Sequence, residues 1–369
     1  MALAGLSACG GVASDSEADP ALADAFAPMD ASSVGPYGVG VTTVAFTDPR
    51  GKALEMEIWY PAQTLGTESS GAAERDRMLE SSGAPYPLVA FSHGSQGIRY
   101  QSPFLMEHLA SHGFVVVSPD HPRNTFLDDD PSAMVDVLVE RPDDLRYSVD
   151  HLLGLSETED RFWGGWIEDG PYAVMGHSFG AFTALVLGGG EWSPEGVGPW
   201  CEAHAGDSQA CDLIGALPDD VLIGHGGPDE RVAVTVAMTP GIWYGFGMDG
   251  EGLASVQQPL LLGSDRDPIL PYDSEARPTF DRLSEPRGLL TFEDAAHFAP
   301  YSSLCEFFPG FSDECAGPPE WVEPAWAQAQ TQILVTAWIR EGLTPGVHAG
   351  DLDWIDPSSW PDSRARLER

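Results

Sequence analysis

Tyr172-Ala-Val-Met-Gly-His-Ser-Phe-Gly180 is a short apolar run that ends in Gly-x-Ser-x-Gly and leads into Ala181-Phe-Thr-Ala-Leu-Val-Leu187. The run suits a buried strand and its sequel a helix, so Ser178 falls at a strand-to-helix turn. Gly176 and Gly180 let that turn be tight, because they lack a Cβ. A serine at such a tip has its hydroxyl pushed out of the fold, where it can act as a nucleophile. In a chain with 41 glycines the five-residue pattern is weak by itself, and a plain Ser/Gly turn explains it equally well. What decides is whether a base and a carboxylate follow in order, each at the end of a strand.

Working outward, strand-like and helix-like runs alternate. Val41–Phe46 and Leu54–Tyr60 read as an antiparallel entry pair. Pro87–Ser92, Phe114–Ser118, Val232–Met238, Leu260–Gly263 and Gly288–Phe292 read as buried strands. Pro103–His112, Asp143–Leu155 and Ala325–Glu341 carry apolar residues at helical spacing. Repeated β-α-β units predict an α/β fold with a mostly parallel central sheet and helices on both faces. Gly189–Val221 breaks the rhythm and reads as an inserted loop or lid over the site. The expected organisation is a signal remnant and acidic disordered tether over 1–34, a catalytic domain over 35–345, and a C-terminal tail over 346–369.

A serine hydroxyl is too weakly acidic to attack an ester unaided, so it needs a base and a carboxylate that holds the base in one tautomer. Pro259-Leu-Leu-Leu-Gly-Ser264 runs into Asp265-Arg-Asp267-Pro. Asp267 is the expected acid, because loop length puts the later residue beside the base; Asp265 is then a turn residue. Gly288-Leu-Leu-Thr-Phe292 is followed by His297, the expected base. An oxyanion hole needs two backbone N–H groups. Phe179, after the nucleophile, supplies one. Ser95, in Phe91-Ser-His-Gly-Ser-Gln-Gly97, is the expected second donor, with His93 supporting the loop. His177, Trp200 and Trp243 are the expected substrate-lining side chains, although aromatic packing explains the tryptophans as well.

The formal charge is −39, and Lys52 is the lone lysine. Such a surface repels phosphate backbones, which argues against nucleic-acid binding. No run approaches the ~20 apolar residues of a membrane-spanning helix. No Cys-x-x-Cys or His-x-x-x-His spacing suggests a metal site, and the chemistry above asks for no cofactor. Leu6-Ser-Ala-Cys9 resembles a bacterial lipobox, though without a basic segment before it. The expectation is export, as a lipoprotein anchored at Cys9 or as a secreted protein, and a monomer. Cys201, Cys211, Cys305 and Cys315 allow three pairings, of which the two local ones need the least rearrangement of the chain.

Phe91-Ser-His-Gly-Ser, Leu109-Ala-Ser-His-Gly-Phe-Val-Val-Val, Gly176-His-Ser-Phe-Gly and the entry segment Met56-Glu-Ile-Trp-Tyr-Pro-Ala resemble the platelet-activating-factor acetylhydrolase (plasma/type II) family. They also resemble bacterial dienelactone hydrolase-like esterases. Dienelactone hydrolases proper use a cysteine where this chain has Ser178, so that activity is not implied. Gly263-Ser-Asp-Arg-Asp-Pro-Ile-Leu-Pro resembles the acid loop of bacterial cutinase-like polyester hydrolases and puts their aspartate on Asp267. The resemblance spans about residues 35 to 345. It implies an α/β-hydrolase fold and a serine carboxylic-ester hydrolase acting on small or short-chain esters. Two other readings are a polyester hydrolase and a lipid-anchored, non-catalytic binding protein on the same scaffold.

Overall fold

The computed structural model describes residues 30–64, 72–158, 162–214, 221, 223–224, 227–318, 320–347, 350–360 and 364–369. The lipobox-like stretch at Cys9 lies outside them. Among the described residues, ten strands form one sheet: β1 (Gly38–Thr47), β2 (Ala53–Ala62), β3 (Ala73–Arg75), β4 (Leu88–Ser92), β5 (Val115–Pro119), β6 (Tyr172–His177), β7 (Val232–Met238), β8 (Pro259–Ser264), β9 (Gly288–Phe292) and β10 (Ala365–Glu368). Their order is β10-β9-β8-β7-β6-β4-β5-β2-β1-β3. β4 to β9 run parallel. β2 is antiparallel to both β1 and β5. This is the α/β-hydrolase fold.

The parallel strands are buried on both faces, so they read as unbroken apolar runs. Alternate residues serve opposite layers. Val89, Phe91, Val116, Met175, Val236 and Leu262 face the layer closed by the helices Pro103–Ser111 and Pro324–Leu343. Leu88, Ala90, Val115, Val117 and Val174 face the other layer, where the helix Met134–Glu157 contributes Leu145, Val149 and Leu152. From β4 the chain crosses to β5 on one side, and from β6 it proceeds to β7 on the other. Strand order therefore reverses between β4 and β6. Ligands of open α/β sheets bind at such a switch point, beyond the carboxyl ends of the strands. Ser178 and His93 both lie there.

Three parts of the chain depart from the sequence reading. The helix expected over Asp143–Leu155 begins at Met134 and continues through Pro142. Burial of Val137, Leu138 and Arg141 with the later apolar stripe outweighs the hydrogen bond that the proline removes. The last residues of the expected tether dock on the domain: Ala31 is buried, its carbonyl bonds to His108 Nε2 (3.0 Å), and the Ser33 carbonyl meets His112 Nε2 (2.8 Å). The expected tail extends the sheet instead, because β10 pairs antiparallel with β9 and buries Ala365 and Leu367. Within Gly189–Val221 the described residues form the short helices Val197–Ala203 and Ala210–Ile214. Cysteines pair locally, Cys201 with Cys211 and Cys305 with Cys315.

Candidate active site

Ser178 follows β6 with φ 56° and ψ −118° and precedes the helix Phe179–Leu187. A non-glycine residue in that region is strained, and such strain is held by its surroundings. Here the Ser178 amide donates to Met238 O (2.9 Å), and the turn is closed by Ala181 N to Ser178 O (2.8 Å). The flanking glycines are required by contact as well as by curvature. A Cβ on Gly176 would stand 2.1 Å from Gly180 O, and one on Gly180 would stand 1.9 Å from Ser92 O.

Asp267 lies in the turn after β8 and is buried. Its Oδ1 accepts the amides of Ile269 (2.9 Å) and Leu270 (2.8 Å), and its Oδ2 meets His297 Nδ1 at 2.6 Å. Asp265 is exposed and instead accepts the amide of Asp294 (2.7 Å), so it ties the β8 turn to the loop that carries His297. Burial works against a charged His297, but Asp267 more than offsets it, and the imidazole's pKa is raised above its ordinary value. His297 is further fixed through its backbone: its amide donates to Glu314 Oε2 (2.7 Å), and its carbonyl meets His177 Nε2 (2.9 Å).

Ser178, Phe179, Ser95 and His297 line one cavity of about 370 Å³. Its walls are largely apolar, with Met134, Phe182, Ile242, Leu270, Phe298 and Phe311 among them. Gln209, Ala210, Asp212 and Ile214 bring the Gly189–Val221 excursion into the same wall. Among the described residues, no group of three His, Cys, Asp or Glu side chains could hold a metal ion.

The three expected substrate-lining residues sit elsewhere. His177 is fully buried beneath the cavity. Its Nδ1 meets Gln101 Nε2 (3.0 Å), and Gln101 Oε1 accepts the Gly94 amide (3.0 Å). His177 therefore braces the serine turn, the 93–97 loop and the His297 loop against one another. Even-numbered positions of β6 and its odd-numbered ones face opposite layers, and adjacency to Ser178 does not bring a side chain to the same side. Trp200 and Trp243 border a second, separate hollow with His204 and Ser274. Trp200 stacks on Tyr244 (centroids 4.0 Å apart) and on His204 (4.5 Å), and the Arg282 guanidinium covers Trp243 at 3.7 Å. Their faces are taken by packing.

Sequence reasoning missed Gln101, Glu314, Glu275 and Arg141. Glu275 is buried and accepts the amide of Ile242 (2.9 Å), whose backbone is left-handed at φ 67° on the cavity wall. Burial pushes its carboxyl up to about 7, against hydrogen bonds from Ser208 and Ile242 that lower it. The signals for these residues are contacts distant in sequence, which no local pattern carries.

The sheet, its crossover helices and the strand-turn-helix at Ser178 make up the α/β-hydrolase fold. Residues 63–144 match the family model described as platelet-activating factor acetylhydrolase, isoform II. That match includes His93-Gly94-Ser95 and stops short of Ser178. The chain is also similar to cutinases of Thermobifida. It is 29% identical over 218 residues to Cutinase 2 of Thermobifida cellulosilytica, covering 58% of this chain and 62% of that one. It is 29% identical over 218 residues to Cutinase cut1 of Thermobifida fusca, covering 58% and 50%. It is 27% identical over 217 residues to Cutinase est1 of Thermobifida alba, covering 58% and 54%. The matched region thus spans between half and two thirds of the length of these relatives.

Proposed function

We propose that the protein is a serine carboxylic-ester hydrolase in which Ser178 is the nucleophile, His297 the general base and acid, and Asp267 the group that orients His297. The observation that carries this reading is the 2.6 Å contact between His297 Nδ1 and the buried Asp267 Oδ2, with His297 lining the same cavity as a half-buried Ser178 on a left-handed turn. With Nδ1 bound to Asp267, Nε2 is the ring nitrogen left to take the serine proton.

The steps follow from that arrangement. Ser178 Oγ attacks the ester carbonyl carbon while its proton passes to His297 Nε2, and the carbonyl π pair moves onto oxygen. The amides of Ser95 and Phe179 receive that oxyanion. The intermediate collapses, the C–O bond to the alcohol breaks, and His297 returns the proton to the leaving alkoxide. Water then attacks the acyl-enzyme in the same way and releases the acid. No step requires a metal or an organic cofactor.

An apolar cavity of about 370 Å³ favours a short, uncharged acyl group, and a net charge of −39 disfavours anionic substrates at long range. A polyester is the second reading. It is supported by the exposed apolar rim of Phe126, Leu127 and Phe307, next to Phe308 and the cavity-lining Phe311. Cutinases are the named relatives on that side. Two disulfides support an exported protein. The test is a panel of p-nitrophenyl esters of increasing chain length beside a polyester film, with Ser178→Ala as control. Hydrolysis by the native chain and a loss of roughly 10³-fold or more in the variant are expected. Undiminished hydrolysis by a folded Ser178→Ala would overturn the reading.

A further inference from the structure

Arg141 points from the helix Met134–Glu157 into the protein behind the cavity and is fully buried. Its Nη2 donates to the His93 carbonyl and to Ser92 Oγ (3.1 Å), its Nη1 to Asn124 Oδ1 (2.7 Å), and its Nε to Thr183 Oγ1 (3.4 Å). Its guanidinium carbon lies 4.5 Å from the centroid of the Phe179 ring. Two of these contacts lead onward. Asn124 Nδ2 donates to Ser95 Oγ (3.2 Å), and Thr183 Oγ1 donates to Phe179 O (3.2 Å). One side chain is therefore tied to both residues whose amides are assigned to the oxyanion.

We propose that Arg141 is the positioning residue of the oxyanion hole, fixing the 92–95 turn against the first turn of the Phe179 helix so that two amides converge on one oxygen. The inference rests on the ester-hydrolase reading of that site. Burying a guanidinium is unfavourable unless it is well paired. The hydrogen bonds it makes to described residues all end on neutral oxygens. Burial lowers its pKa to about 9, with Asp144 opposing from a distance, so it stays charged at neutral pH. An apolar side chain would fill the space at less cost. What only arginine supplies is a rigid planar fork that reaches acceptors on three separate elements. Its charge also lies behind the place where negative charge develops, and its neighbours His93 and His121 are held neutral by burial and by Arg141 itself. Fixed positive potential at that place is worth more in a dry interior than in water.

The full chain is made as Arg141→Met, Arg141→Lys and Asn124→Ala. Each is assayed for kcat and KM on p-nitrophenyl butyrate and for affinity to a trifluoromethyl ketone, whose serine adduct carries its negative charge on the same oxygen. Circular dichroism and a thermal melt report folding. For Arg141→Met, kcat is expected to fall about 10- to 100-fold with KM within about threefold of native, and ketone affinity to weaken by a similar factor. Arg141→Lys, a point charge without the fork, is expected not to restore kcat. Asn124→Ala removes the link from Arg141 to Ser95, together with the Asn124 contact to Asp129, and leaves the Arg141 bonds to Ser92, His93 and Thr183 in place; it is expected to show the same split with a smaller loss. Native kcat and ketone affinity in a folded Arg141→Met overturn the proposal, and so does native behaviour in Asn124→Ala if Arg141→Met does not fold. A native chain that fails to hydrolyse any ester would instead count against the hydrolase reading.

Discussion

Asp265 and Asp267 leave the same strand two residues apart, and their surroundings separate them. Asp267 is buried, takes two backbone amides on one oxygen and presents the other to His297. Asp265 is exposed and holds a neighbouring loop through the amide of Asp294. Asp267→Asn keeps the shape but turns the imidazole toward the wrong tautomer, so kcat is expected to drop by roughly 10³- to 10⁴-fold. An asparagine at 265 still accepts the Asp294 amide, and a few-fold loss at most is expected there. Steady-state kinetics of the two variants check this, and the opposite ranking would move the acid to Asp265. The placement of Ser178, Asp267 and His297, each after a strand and in that order, was legible because apolar runs mark the strands that precede them. His177, Trp200 and Trp243 were misread as substrate-lining for a physical reason: sequence proximity and aromatic character do not say which face of an element a side chain occupies. Arg141 stood just ahead of the helix expected from Asp143, and its role depends on contacts to residues 17 to 49 positions away.

At the scale of elements, the approach of the Phe179–Leu187 helix to the end of β4 controls the geometry. Gly180 is the contact, with its Cα so near Ser92 that an added methyl would overlap the Ser92 carbonyl. Gly180→Ala must push the helix from β4 and carry Ser92 and His93 with it. A stability loss of roughly 1–3 kcal/mol is expected, together with reduced kcat. Gly154→Ala is the control, because Gly154 lies within a helix and nothing stands within 4 Å of its added Cβ; it is expected to be neutral or stabilising by up to about 1 kcal/mol. Paired thermal melts test both, and equal melts for Gly180→Ala and the native chain would contradict the close contact. The buried parallel strands were legible as apolar runs. The start of the Met134–Glu157 helix was not, because a proline inside a helix is tolerated only when tertiary burial outweighs it. β10 was not either: Ala365-Arg-Leu-Glu368 is too short for a period-two signal and gains its place by pairing with β9.

For the whole molecule, the sheet brings together residues from three strand ends spaced across 120 positions, from Ser178 to His297. The excursion after the Phe179–Leu187 helix and the segment closed by Cys305–Cys315 wall the cavity from two sides, through Gln209–Ile214 and through Phe311 and Ser312. The strongly acidic exterior surrounds a largely apolar cavity, and the proposed hydrolysis of uncharged esters rests partly on that combination. The central claim is that Ser178 carries the covalent chemistry. It is tested most directly by treating the full chain with a fluorophosphonate probe and locating the adduct by peptide mass spectrometry. The account predicts one stoichiometric adduct on the peptide containing Ser178, with ester hydrolysis lost in step with labelling. Hydrolysis that persists in a fully labelled sample, or an adduct on a different residue, would contradict it.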